Sequence, residues 1–138
     1  MTAKEKSDEI FNTLKKYISN TTKYNPTYVF QSLVENKYPL IVFEKRSNPT
    51  DSISQDIYKL DKVININFEI SVFAVNQENI NANTICEDLS QLVSELFEDY
   101  YGMQGGLDAH LKNINTSNAS KCILHYSCKY NPRKNILY

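Results

Sequence analysis

The sequence predicts an α+β fold: a mainly antiparallel four-stranded sheet with two amphipathic helices packed on one face, in the order α-β-β-α-β-β. Three observations carry this expectation. Ile64, Ile66, Phe68, Ile70, Val72 and Ala74 occupy every second position of one segment, the period of a strand with one buried face. Two other segments place their apolar residues at helical spacing. The connections are short, which favours antiparallel neighbours, and two apolar helix faces need one sheet face to cover.

The elements follow in chain order. From Thr2 to Ser19, Ile10, Phe11, Leu14, Tyr17 and Ile18 form one helical face, and Thr2 with Glu5 fits a capping box. The following Asn-Thr-Thr-Lys-Tyr-Asn-Pro run is turn-like, with a short strand expected over Tyr28 to Leu33. Tyr38 to Arg46 is an apolar run opened by Pro39, which reads as a strand; Ser47 to Ser52 then has turn chemistry. The long strand covers Val63 to Val75, about 40 Å at strand rise, and so is expected to overshoot its own core. Phe73 and Val75 fall on its otherwise polar face, which suggests cover on both sides at that end. A second helix is expected from Ala82 to Tyr100, with Asn81 or Asn83 as N-cap, ended by Gly102, Gly105 and Gly106. Leu107 to Thr116 and Lys121 to Tyr130 read as a hairpin, and the tail Asn131 to Tyr138 reads either as a short final strand or as a segment that docks on a neighbour.

Bulk properties bound the function. A length of 138 residues is one domain, spanning 1–138. Fifteen basic against 16 acidic residues give a net charge of −1, which argues against the cationic surface that nonspecific nucleic-acid binding needs. No run of about 18 apolar residues is present, so no membrane partner is expected. The charged start MTAKEKSDEIF lacks a signal-peptide core, so synthesis and folding in a cytosol are expected. Cys86, Cys122 and Cys128 are then expected as free, mostly buried thiols.

Chemistry-bearing patterns are scarce. His110 and His125 have no cysteine or carboxylate at metal-site spacing, and Cys122 and His125 should point to opposite sheet faces. The glycines at 102, 105 and 106 follow a helix instead of opening one, which is not a phosphate loop. No catalytic residue, metal or cofactor is expected. Glu95, Glu98 and Asp99 lie where the helix dipole disfavours acid, so they read either as a solvated face or as an acidic patch for a basic partner. Lys129, Arg133 and Lys134 are the nearest thing to a basic cluster.

The run NKYPLIVFEKRSNPTDS, the strand INFEISVFAVN, the helix ICEDLSQLVSELFEDYYGM and the closing KCILHYSCKY together resemble the tail terminator proteins of long-tailed phages and phage-tail-like particles. The likeness runs from about Lys37 to Tyr130, and Lys121 stands where relatives often carry arginine. The resemblance implies a non-enzymatic virion structural protein, made in the bacterial cytoplasm and located in the tail and neck. Members form a homo-hexameric ring that caps the tail tube, stops its elongation and offers a surface to the head-tail connector. The implied partners are further copies of the chain, the tail tube protein, the sheath protein of a contractile tail, and the connector, with no sequence-specific nucleic acid. Another neck or head-completion ring protein, or a host cytosolic binding module, are the alternative readings. The arm from Glu44 to Leu60 is the expected subunit interface, with Glu44, Lys45, Arg46, Asp51, Asp56 and Tyr58 as contact residues; Glu95, Glu98 and Asp99 form the expected partner-facing patch.

Overall fold

A computed structural model of the chain describes residues 2–30, 37–45, 53–55, 62–114 and 119–138. The first helix, α1 (Ala3–Thr21), starts where its cap dictates: the Thr2 side chain accepts a hydrogen bond from Glu5 N at 3.1 Å. Three strands follow, β1 (Thr27–Phe30), β2 (Leu40–Lys45) and β3 (Ile53–Gln55), and then the long strand β4 (Lys62–Val75). Helix α2 (Ala82–Ser94) is capped by Asn81 and continues as π-helical turns over Glu95–Tyr100. Strands β5 (Gln104–Ile114), β6 (Ala119–Asn131) and β7 (Ile136–Leu137) complete the chain.

The sheet has seven strands in the order β1-β2-β4-β6-β5, with β3 paired to β4 and β7 to β6. This corrects the expected four-stranded, mainly antiparallel sheet and the order α-β-β-α-β-β. The element order is α-β-β-β-β-α-β-β-β, and β1 runs parallel to β2, with Thr27 opposite Leu40 and Phe30 opposite Phe43. The added strands are four, three and two residues long, too short for an alternating pattern to declare itself. β1 is further disguised because apolar side chains leave it on both sides: Tyr28 and Phe30 pack on the main core, Val29 on a smaller one.

The two helices do share one face. Ile10, Leu14 and Ile18 of α1 and Ile85, Leu89 and Val93 of α2 close over Ile66, Phe68, Ile70 and Val72 of β4 and Cys122, Leu124 and Tyr126 of β6. Phe43 sits at the centre, fully buried, with its ring 5.5 Å from Phe11, 5.4 Å from Phe30, 5.2 Å from Phe68 and 6.3 Å from Phe97.

The long strand does not overshoot the sheet. β4 pairs with β6 from Ile64 to Val75 on one side, and with β3 and then β2 on the other. Among the described residues the sheet edges belong to β1 and β5 and to the short β3 and β7 instead. β5 is blunted by register shifts between Leu107 and Ala109 and between Lys112 and Ile114, as natural edges commonly are. No helix among the described residues is long and apolar enough to cross a membrane.

Candidate assembly surface

The face of the sheet away from the helices is built by the other half of each strand's alternation. Across it run Leu40, Val42 and Glu44 of β2, Glu69, Ser71 and Phe73 of β4, Lys121, Ile123 and His125 of β6, and Leu111 of β5. Its composition changes along the strands. At one end Val29, Leu40 and Val42 are buried with Phe73 packed against them, and the Lys121 ammonium lies 4.7 Å from the Phe73 ring centroid. The apolar character that the sequence places at Phe73 is therefore satisfied by cover on this face too. Beside this cluster Tyr38 and Leu111 remain 43% and 48% exposed, and together with Phe73 and Lys121 they line a shallow apolar hollow.

An ionic row crosses the middle of the same face. Glu44 stands directly opposite Glu69, and Glu69 opposite His125. His125 Nε2 lies 2.7 Å from Glu69 Oε1, and its Nδ1 lies 3.4 Å from Asp108 Oδ2, so the imidazole sits between two carboxylates. Here β5 presses closely on β6: a Cβ on Gly105 (φ +135°) would stand 2.0 Å from the His125 carbonyl oxygen. At the far end Asn65, Asn67, Gln104, Ser127 and Lys129 make a polar surface that Tyr138 borders.

The candidate interface residues divide. Glu44 lies on this outer face and Lys45, its neighbour in β2, on the opposite one, both half-buried. Arg46, Asp51, Asp56 and Tyr58 lie outside the described residues. The hairpin arm is represented by β3, whose Gln55 pairs with Lys62.

Glu95, Glu98 and Asp99 sit in the π-helical turns at the end of α2. Two of them are held from within the molecule. The Tyr17 hydroxyl of α1 donates to Glu95 Oε2 at 2.7 Å, and the Tyr126 hydroxyl of β6 donates to Glu98 Oε2 at 3.0 Å. A third pair, Tyr24 Oη to Asp88 Oδ2 at 2.6 Å, lies further along the same groove between the helices. These hydroxyls offset the unfavourable position of acid at a helix C-terminus. The bond to Glu95 holds the Tyr17 phenol above its ordinary pKa; burial, with Glu98 adding to it, pushes Tyr126 up to about 12. Asp99 and Tyr100 point to solvent, Tyr100 with 73% of its surface exposed.

The remaining chemistry-bearing residues form no catalytic constellation among the described residues. His110 Nε2 bonds Ser120 Oγ at 3.0 Å, and Cys122 and His125 do face opposite sides of the sheet. All three cysteines are free and buried. One proximity escapes sequence reasoning: the Cys86 and Cys122 side chains meet between α2 and β6, and Cys86 Sγ reaches Ser120 O at 3.2 Å. Contact with Cys122 and burial both push the Cys86 thiol up. Nothing in the spacing of residues 86 and 122 could have signalled it. Among the described residues no group of three or more His, Cys, Asp or Glu side chains is arranged to hold a metal ion.

No protein-family model matches the chain, and no curated protein does either.

Proposed function

We propose that this chain is a ring-forming structural protein of a phage tail or phage-tail-like particle, a terminator that caps the tail tube, stops its elongation and presents the head connector with a surface. The observation that carries the reading is the outer sheet face: no described helix covers it, yet it bears exposed Tyr38 and Leu111 beside an ionic row. Exposed apolar residues bordered by charge are the pattern of an association surface. The segments from Lys37 to Tyr130 that resemble tail terminators include the strands that build this face. In this reading the neighbouring subunit meets the side of the sheet where β2 ends at Lys45, next to Glu44, and the arm towards Leu60 continues. The tube protein, the sheath protein where the tail contracts, and the connector then bind the assembled ring.

The test is functional. The purified chain is added to a polymerising phage tail tube protein. A terminator caps the growing end and fixes tube length; tubes that elongate unchanged overturn the proposal. A shortened arm checks the interface. Lys45 stands opposite Phe68 and Ile53 opposite Ile64, so a deletion of Asn48–Asp51, which leaves Arg46, Ser47 and Ser52 to span those four positions, spares both pairings. It should abolish the ring while circular dichroism stays unchanged, and a variant of full ring mass would move the interface elsewhere.

A further inference from the structure

The outer face carries apolar residues at both ends of the sheet. At the end described above they are Tyr38 and Leu111. At the other end stand Ile136 of β7 and Tyr138 just after it, 45% and 57% exposed. They share this face because Ile136 stands opposite Asn131, and Tyr138 exchanges backbone hydrogen bonds with Lys129 at 2.8 and 3.4 Å. The two ends are separated by the run of β4 from Ile64, opposite Tyr130, to Phe73, about 30 Å at strand rise. One chain therefore cannot bring its own two patches together.

The turn that leads into β7 is built to hold its shape. Asn131, buried, accepts from the backbone N–H of Arg133 at 3.0 Å and of Lys134 at 3.1 Å. The Tyr130 hydroxyl donates to Asn135 Oδ1 at 2.7 Å, and Asn135 takes the left-handed conformation (φ 55°). The result displays Arg133 and Lys134 at the surface, immediately before the apolar pair Ile136 and Tyr138.

We infer that the β6–β7 turn and β7 of one copy dock on the outer sheet face of the next. Arg133 and Lys134 meet the acidic row at Glu69 and Asp108, and Ile136 and Tyr138 meet Tyr38 and Leu111. Charge matches, and on both surfaces the charged group lies within a few residues of the apolar one: Glu69 and Phe73 on β4, Lys134 and Ile136 across the end of the turn. A symmetric face-to-face dimer would set one acidic row against another, which is repulsive. The offset contact sets base against acid and uses different surfaces on the two copies, the head-to-tail kind that closes into rings. The inference rests on the ring reading and deepens it by naming the interface.

The test uses charge reversal in the full chain, read as native mass and sedimentation. Arg133→Glu with Lys134→Glu should weaken subunit association at least tenfold. So should Asp108→Lys, whose side chain is 61% exposed and whose substitution leaves the turn untouched. Combining the three reversals should restore the ring, and higher salt should weaken the wild-type contact. Variants that keep the wild-type ring mass overturn this interface and leave the ring reading standing. A wild-type chain that sediments as a two-fold dimer overturns the offset contact. One that stays monomeric at all concentrations, alone and with tail tubes, overturns the ring itself.

Discussion

Tyr17 and Glu95 join α1 to the π-helical end of α2 through a 2.7 Å hydrogen bond spanning 78 residues of sequence. It is the central one of three tyrosine–carboxylate contacts, flanked by Tyr24–Asp88 and Tyr126–Glu98. Tyr17→Phe removes the donor and leaves the carboxylate to water, because Glu95 is only half-buried. The expected loss is about 1 kcal/mol in urea denaturation. A double-mutant cycle with Glu95→Gln should return a coupling of similar size. Strict additivity would show that the bond contributes nothing.

Alkaline pH should unfold this protein early. Tyr17, Tyr24 and Tyr126 all titrate above their ordinary value, and burial pushes Cys128 from 9.0 to about 11. A raised folded-state pKa means that stability is full below the unfolded value and is lost as pH rises through the folded one. Stability should therefore hold through neutral pH, begin to fall above about 9, and fall steeply between about 10 and 12. Tyr126→Phe should flatten the upper part of that profile and Cys128→Ala its onset. An unchanged slope in both variants would contradict the assignment.

Gly105 should tolerate no side chain. An added Cβ would lie 2.0 Å from the His125 carbonyl oxygen and 2.9 Å from Tyr126 Cα, both backbone atoms, at a φ of +135°. Gly105→Ala should cost about 3 kcal/mol or more. Gly106→Ala, whose Cβ would meet nothing within 4 Å, is the control and should cost clearly less. Equal melting temperatures for the two variants would refute the close approach of β5 to β6.

Phe43 should be the most sensitive aromatic position. Its ring touches four others, contributed by α1, β1, β4 and the π-helical turns. Phe43→Ala should cost about 3–5 kcal/mol, and Phe43→Leu markedly less, because most of the volume is kept. A loss below about 1 kcal/mol would mean that these elements do not converge there.

The thiols should be silent. Cys86, Cys122 and Cys128 are buried, and the raised Cys86 and Cys128 pKa values keep thiolate scarce at neutral pH. An aromatic disulfide reagent should label none of the three in the folded protein and all of them in denaturant. Rapid labelling of a folded sample would contradict the burial.

What the sequence disclosed follows from the length of its patterns. The alternation of β4 and β6, the two helical stripes and the Thr2 and Asn81 caps are local signals repeated over many residues, and each appears in the structure. Parallel pairing of Thr27–Phe30 with β2, and the attachment of β3 and β7 to strands already formed, depend on partners distant in sequence or on segments too short to show a period. The acidic patch was visible as a row of letters at 95, 98 and 99, but the hydroxyls that hold it come from positions 17 and 126. The outer face was half legible: Phe73 marked its apolar end, whereas the meeting of Glu69, His125 and Asp108 required the register of three strands.

The pairing of β4 with β6 is unbroken over twelve positions, from Ile64 opposite Tyr130 to Val75 opposite Ala119. Tension applied along these two strands in opposite directions loads the whole ladder in shear, so its hydrogen bonds must yield together instead of opening one by one from an end. The centre of this domain is therefore a mechanical clamp, stiffest along the direction in which its longest strands run.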